Sequence, residues 1–157
     1  MRSGSLVVLA LALLCVECTP AVIPNTDVED TDFNRQVIDF CEEYRQAVEA
    51  KRVGFLLQLA DPTYYEDGGN TDATDDLDYA GLRDYLKDKF AKTKAIRYEI
   101  RYRRVQKGRR DVVQVDYTYS ASYKIPTEVG DIWRHSVADN RLELVPHEAS
   151  FRIVSGM

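Results

Sequence analysis

Imidazole and thiol groups are nearly missing from this sequence, which has two histidines and three cysteines. That scarcity removes most metal and nucleophile chemistry at the outset. Cys15 and Cys18 form a C-x-x-C, but no second pair and no nearby histidine complete a zinc site. No βαβ pattern surrounds them to make a redox motif either. Cys41 falls within a helical apolar pattern and reads as a small buried hydrophobe. His147 stands in a predicted turn, and His135 has no cysteine or carboxylate partner nearby in sequence, so neither marks a metal or an activated nucleophile. Ser150 and Ser155 lack a nucleophile motif. No metal and no cofactor is expected. An excess of positive charge is also missing: the formal net charge of -5 disfavours bulk nucleic-acid binding. No apolar run reaches the roughly 20 residues that a membrane-spanning helix needs, and no internal repeat is visible.

Tyrosine is abundant, at 10 of 157 residues. Its large apolar body and polar tip suit the wall of a half-polar cavity. The remaining composition is ordinary for a soluble domain, 45% hydrophobic and 30% charged.

Arg2 followed by the apolar stretch Leu6 to Leu14 has the form of an export signal, over residues 1–18. Cys18, with Thr19-Pro20 behind it, resembles the acylated cysteine of a bacterial lipoprotein. Glu17 departs from that pattern, which wants a small residue before the cysteine, and cleavage after Ala21 is the competing, unlipidated outcome. The expectation is an exported chain of the bacterial cell envelope, held to the membrane by a lipid anchor at Cys18, or else secreted or periplasmic and soluble. Residues 19–31, with two prolines and several acidic side chains, read as an exposed tether. Residues 32–157 are expected to form the domain.

Within the domain the apolar period is helical at first. Phe33, Val37, Phe40, Cys41, Tyr44, Ala47 and Val48 recur at three- and four-residue spacing, with Thr31 or Asp32 able to cap the helix. A second helix covers Val53 to Ala60. A third is capped by Asp78 and carries Leu82, Tyr85, Leu86 and Phe90 on one face. After Lys94 the period changes to two. Val113, Val115, Tyr117, Tyr119, Ala121 and Tyr123 share one strand face, and a further strand runs from Trp133 to Leu144. About three N-terminal helices followed by long antiparallel strands is an α+β order in which the helices must cover the aromatic face.

The helix pair, then Leu59-Ala60-Asp61-Pro62-Thr63-Tyr64-Tyr65-Glu66-Asp67-Gly68, then Gly81-Leu82-Arg83-Asp84-Tyr85-Leu86, and a meander through Asn140-Arg141-Leu142-Glu143-Leu144-Val145 to Phe151-Arg152-Ile153-Val154-Ser155-Gly156, resemble the nuclear transport factor 2-like superfamily. The resemblance spans roughly residues 32 to 157. It implies a cone in which a curved antiparallel sheet wraps a helix around a central pocket. One departure is Phe151, where the last strand of that superfamily often begins with Trp. Members often dimerise through the sheet, so the resemblance also admits a homodimer.

The superfamily contains ketosteroid isomerases, polyketide cyclases, dehydratases and many non-catalytic domains. Set against the isomerases, Asp67 matches the proton-shuttling carboxylate, Tyr44 matches an oxyanion donor if one residue is deleted, and Asp139 stands where a protonated acid donates. Such a trio would take a proton beside a carbonyl and stabilise the enolate. Tyr44 read as core, Asp67 as a loop group and Asp139 paired with a basic neighbour form the alternative. The acidic stretch Asp61 to Asp78 lacks the ordering of a calcium loop and reads as solvated. The basic stretch Lys87 to Arg110 reads as the solvent face of a helix and hairpin rather than an anion site. The primary expectation is therefore a binding domain for a small apolar ligand or a protein partner, its pocket walled by Tyr117, Tyr119, Tyr123 and Trp133.

Overall fold

The computed structural model describes residues 20–68, 74 and 76–157. The expected export signal and Cys18 lie outside the described residues.

Helix α1 spans Asp32–Glu49 and α2 spans Val53–Leu59. Thr31 caps α1, its hydroxyl accepting from the Asn34 N–H at 3.1 Å. The expected apolar face of α1 is buried: Val37, Phe40, Cys41, Tyr44 and Ala47 all point inward, with Ile38 beside them. Two short strands, β1 (Tyr65–Glu66) and β2 (Leu77–Asp78), pair antiparallel. Asp78 then caps α3 (Tyr79–Ala91), accepting from the Gly81 N–H at 2.7 Å.

Four long strands follow: β3 (Ala95–Lys107), β4 (Val113–Thr127), β5 (Gly130–His147) and β6 (Ser150–Ser155). They form one antiparallel sheet in the order β3-β4-β5-β6, a simple meander. The three helices cover one face of it, and the α+β class expected from the sequence holds. Val113, Val115, Tyr117 and Ala121 of β4 are buried on that face, so the period-two reading of this strand is correct. Phe151 opens β6 and packs edge-on against Phe40, with ring centroids 5.8 Å apart, and against Phe33 at 6.2 Å.

The expected tether needs correction from Val22 onward. Val22 bridges Glu29, and Val28 is 2% exposed. The Asp27 N–H donates to the Tyr102 carbonyl at 2.9 Å, and the Asp27 carboxylate pairs with Arg101 and Arg103. Two apolar side chains, Ile23 and Val28, join the core and outweigh the polar composition around them.

The chain end is fixed with equal care. Gly156 has φ +93, and a Cβ there would lie 1.9 Å from the Arg141 carbonyl oxygen. Glu66 accepts from the Gly156 N–H at 2.6 Å and from the Ser155 hydroxyl at 2.9 Å. Gly156→Ala should therefore cost about 2 kcal/mol or more, from the left-handed backbone and the forced shift together. Urea denaturation measures it, and a loss below about 0.5 kcal/mol would contradict this packing.

Candidate functional site

Between the helices and the covered sheet face lies a cavity of about 400 Å³. Every helix contributes to it: Tyr44 and Val48 from α1, Leu56 from α2, Tyr85, Leu86, Lys89 and Phe90 from α3. The sheet supplies Ile96 and Tyr98 of β3, Tyr119, Tyr123 and Ile125 of β4, and Asn140 of β5. Strand parity places these residues. Inward positions repeat every second residue, and the β4–β5 register runs unbroken from Val113↔Leu144 to Thr127↔Gly130.

The deep end is a cluster of phenols. Tyr44, Tyr98 and Tyr117 are buried, at 4%, 5% and 1% exposure. They are close enough to influence one another's ionisation. The Tyr44 and Tyr98 rings meet edge-on at 6.4 Å, and Tyr98 leans on Tyr119 at 5.7 Å. Asn140 sets the polarity of the cluster. Its amide donates to the Tyr117 oxygen at 3.1 Å and to the Gly156 carbonyl at 3.2 Å. Tyr117 accepts from Asn140, so its own proton is available to the other two phenols.

Burial is the main reason these phenols resist ionisation. It pushes Tyr98 up to about 12. It raises Tyr117 as well, with Tyr98 adding to the effect. Tyr44 is pushed well above its ordinary value by burial, and then by Tyr117 and Tyr98. The cavity therefore presents neutral hydroxyls, able to donate and to accept, on an otherwise apolar wall.

The sequence-derived site residues separate in space. Tyr44, Tyr119 and Tyr123 line the cavity, and Tyr117 stands behind it as the hydrogen-bonded floor. Trp133 does not line it. It pairs with Lys124 in register, an outward position, is 47% exposed, and stacks under the Arg97 guanidinium at 4.8 Å. Asp139 also lies on the outer face, opposite Thr118, whose hydroxyl donates to it at 2.6 Å. Asp67 is exposed next to β1 and is not part of the cavity wall. The proposed trio is thus divided between the interior, the outer sheet face and a surface hairpin. Among the described residues no Asp, Glu or His lines the cavity, and none form a cluster placed to hold a metal. Cys41 is fully buried, and burial pushes its thiol up, as its helical position implied.

Asn140, Lys89 and Met157 belong to the cavity but were not anticipated. A signal for Asn140 existed. Leu142 and Leu144 are buried, and counting back by twos reaches Asn140 and skips Asp139 and Trp133.

No family model and no curated protein matches the chain. Solved structures do. The Kfla4162 protein from Kribbella flavida superposes with a TM-score of 0.64 at 16% identity, over 78% of this chain and 86% of that one. A scytalone dehydratase-like protein from Novosphingobium aromaticivorans gives 0.63 at 7% identity, over 79% and 80%. The beta subunit of an aromatic-ring-hydroxylating dioxygenase-like enzyme from the same organism gives 0.59 at 16% identity, over 78% and 84%. At these identities the likeness is one of fold, the nuclear transport factor 2-like cone.

The phenols give this site a pH signature. An unperturbed phenol ionises near pH 10, whereas Tyr98 and Tyr64, both raised by burial, should hold their protons to about 12. Since the folded value exceeds the unfolded one, this contribution to stability is complete below about pH 10 and is lost as pH rises through the folded value. Phenolate absorbance followed alongside denaturation tests this. All ten tyrosines titrating together near pH 10 in a folded protein would contradict it.

Proposed function

We propose that this domain binds a small, largely apolar molecule inside its cone and performs no chemistry on it. One observation carries the reading: a cavity of about 400 Å³ walled by tyrosine rings and aliphatic side chains, with neutral hydroxyls at its deep end and no carboxylate or imidazole on its wall among the described residues. Pockets that take small ligands have this character, a mostly apolar lining with a few converging polar groups. A general-base mechanism requires a base within hydrogen-bond reach of the proton removed. Asp67 and Asp139, the two carboxylates proposed for such work, do not line this space. The phenols alone could polarise a bound carbonyl, which supports recognition of an oxygen-bearing ligand.

A fluorescent neutral probe such as 2-naphthalenemethanol tests the binding. A ligand of about a dozen non-hydrogen atoms gaining roughly 0.5 kcal/mol per atom would have a Kd in the tens of micromolar. Ile125→Trp, which fills the cavity near its rim, should weaken binding at least about tenfold while the fold persists. Tyr98→Phe should weaken it by a smaller factor, about two- to fivefold, through one lost hydrogen-bonding group. A probe that does not bind, or that binds Ile125→Trp equally well, would sink the ligand reading.

We further propose that the domain works outside the cytoplasm, attached to the membrane at Cys18. The support is the short apolar stretch Leu6 to Leu14 after Arg2 and the Cys18-Thr19-Pro20 context. Several acyl chains on one residue would give a stable attachment, where a single chain would not. Mass spectrometry of the mature N-terminus should find acylated Cys18. A chain beginning at Val22 without acyl groups would instead indicate a soluble exported protein.

A further inference from the structure

The mouth of the cavity differs in charge from its depth. Tyr85 and Tyr123 both line it there, and Tyr123, raised mainly by burial, is raised further by Tyr119 and Tyr85. Lys89 stands one helical turn beyond Tyr85, and its ammonium sits over the Tyr85 ring at 5.4 Å from the centroid. On the sheet side, Arg134 is the register partner of Tyr123. It shares the inward parity of Asn140 and Ile132, so it projects from the concave face beside Tyr123.

Neither cation has a carboxylate partner among the described residues. The acids around this end are engaged elsewhere. Asp88 pairs with Lys92 at 2.6 Å, Asp131 holds Lys94 and Lys124, and Asp84 pairs with Arg83. By contrast, four arginines on the outer sheet face are matched, Arg101 and Arg103 by Asp27 and Arg104 and Arg141 by Asp116, while Arg97 stacks on Trp133. Within the basic stretch that begins at Lys87, Arg101, Arg103 and Arg104 of β3 are paired with carboxylates, while Lys89 is left as a cation at the mouth. An apolar, ring-lined interior under two uncompensated cations has the charge pattern of a site for an amphipathic anion.

We infer that the ligand is a small aromatic carboxylic acid, its ring stacked among Tyr98, Tyr119 and Tyr123 and its carboxylate at the mouth between Lys89 and Arg134. This rests on the ligand-binding reading of the cavity. An aromatic body fits because ring faces and edges dominate the wall, and offset or edge contacts between rings add to area burial. A single carboxylate matches one ammonium and one guanidinium, the latter able to donate two parallel hydrogen bonds.

The test compares 2-naphthoate with 2-naphthalenemethanol, which share a ring system and differ in charge, by fluorescence titration at low salt. The acid should bind about tenfold more tightly, two partly exposed ion pairs each contributing a factor of roughly three to five. That preference should shrink in 0.5 M salt, where screening is strong. Lys89→Gln and Arg134→Gln should each lower the acid-to-alcohol affinity ratio by about threefold, and the double variant should bring it close to one. Lys89→Arg should keep most of it. Both positions are solvent-facing, and a circular dichroism melt confirms that the variants fold. If the alcohol binds and the acid binds no better, the inference is overturned and the cavity reading stands. If the ratio survives the double substitution, the anion sits elsewhere and the assignment of Lys89 and Arg134 is wrong. If neither probe binds, both readings fall together.

Discussion

The rest of the structure depends on a cluster of three phenols that the fold takes out of water. Tyr44, Tyr98 and Tyr117 come from α1, β3 and β4, and a buried hydroxyl without a partner costs about 1–3 kcal/mol. The three lie together at the deep end of the cavity, each affecting the others' ionisation, and Asn140 of β5 donates to the Tyr117 hydroxyl. Asn140 is itself held by the Gly156 carbonyl. Gly156 can approach so closely only because it has no side chain, and Glu66 of the small hairpin grips its N–H. One polar cluster thereby ties the first helix, three strands of the sheet, the small hairpin and the chain end. No buried side-chain donor or acceptor among the described residues is left without a partner. The cavity exists because the tyrosine rings that carry these hydroxyls are long and stiff. They hold the helices off the sheet rather than collapsing onto it.

That arrangement sets Tyr44, Asp67 and Asp139 apart from one another. A carboxylate at the depth of the cone would need to be desolvated beside three neutral phenols, and no inward strand position supplies one. The acidic side chains are spent outside instead. Asp27, Asp116 and Asp139 belong to a ladder of ion pairs and hydrogen bonds on the outer sheet face, with Arg101, Arg103, Arg104, Thr118 and Arg141. Exposed pairs of this kind contribute little to stability singly. Their effect is to keep that face solvated and the interior free of charge.

The α+β class, the helix caps and the inward face of β4 were legible in the sequence because each has a local cause. Thr31 and Asp78 cap through their own side chains, and the β4 alternation is regular from Val113 to Tyr123. The face of β5 was harder to read. From Asp131 to Asn140 nearly all of its side chains are exposed on both faces, so hydrophobicity does not alternate there. An indole in such a stretch looks like a wall residue, and Trp133 was read as one. Its parity is set farther along by Leu142 and Leu144, which put odd-numbered residues outside. The segment Val22 to Asp30 was misread for a related reason. Its packing depends on two apolar side chains and on a backbone bond to β3, which composition does not display.

The function proposed for this cone is that of a receptor for a small ring-bearing molecule. Methyl-resolved NMR with 2-naphthalenemethanol tests it most directly. The account predicts shifts confined to Val48, Leu56, Leu86, Ile96, Ile125 and Met157, all of which line the cavity, with Val137 and Val129 on the outside unmoved. Shifts at the outer face with the cavity methyls silent would contradict it.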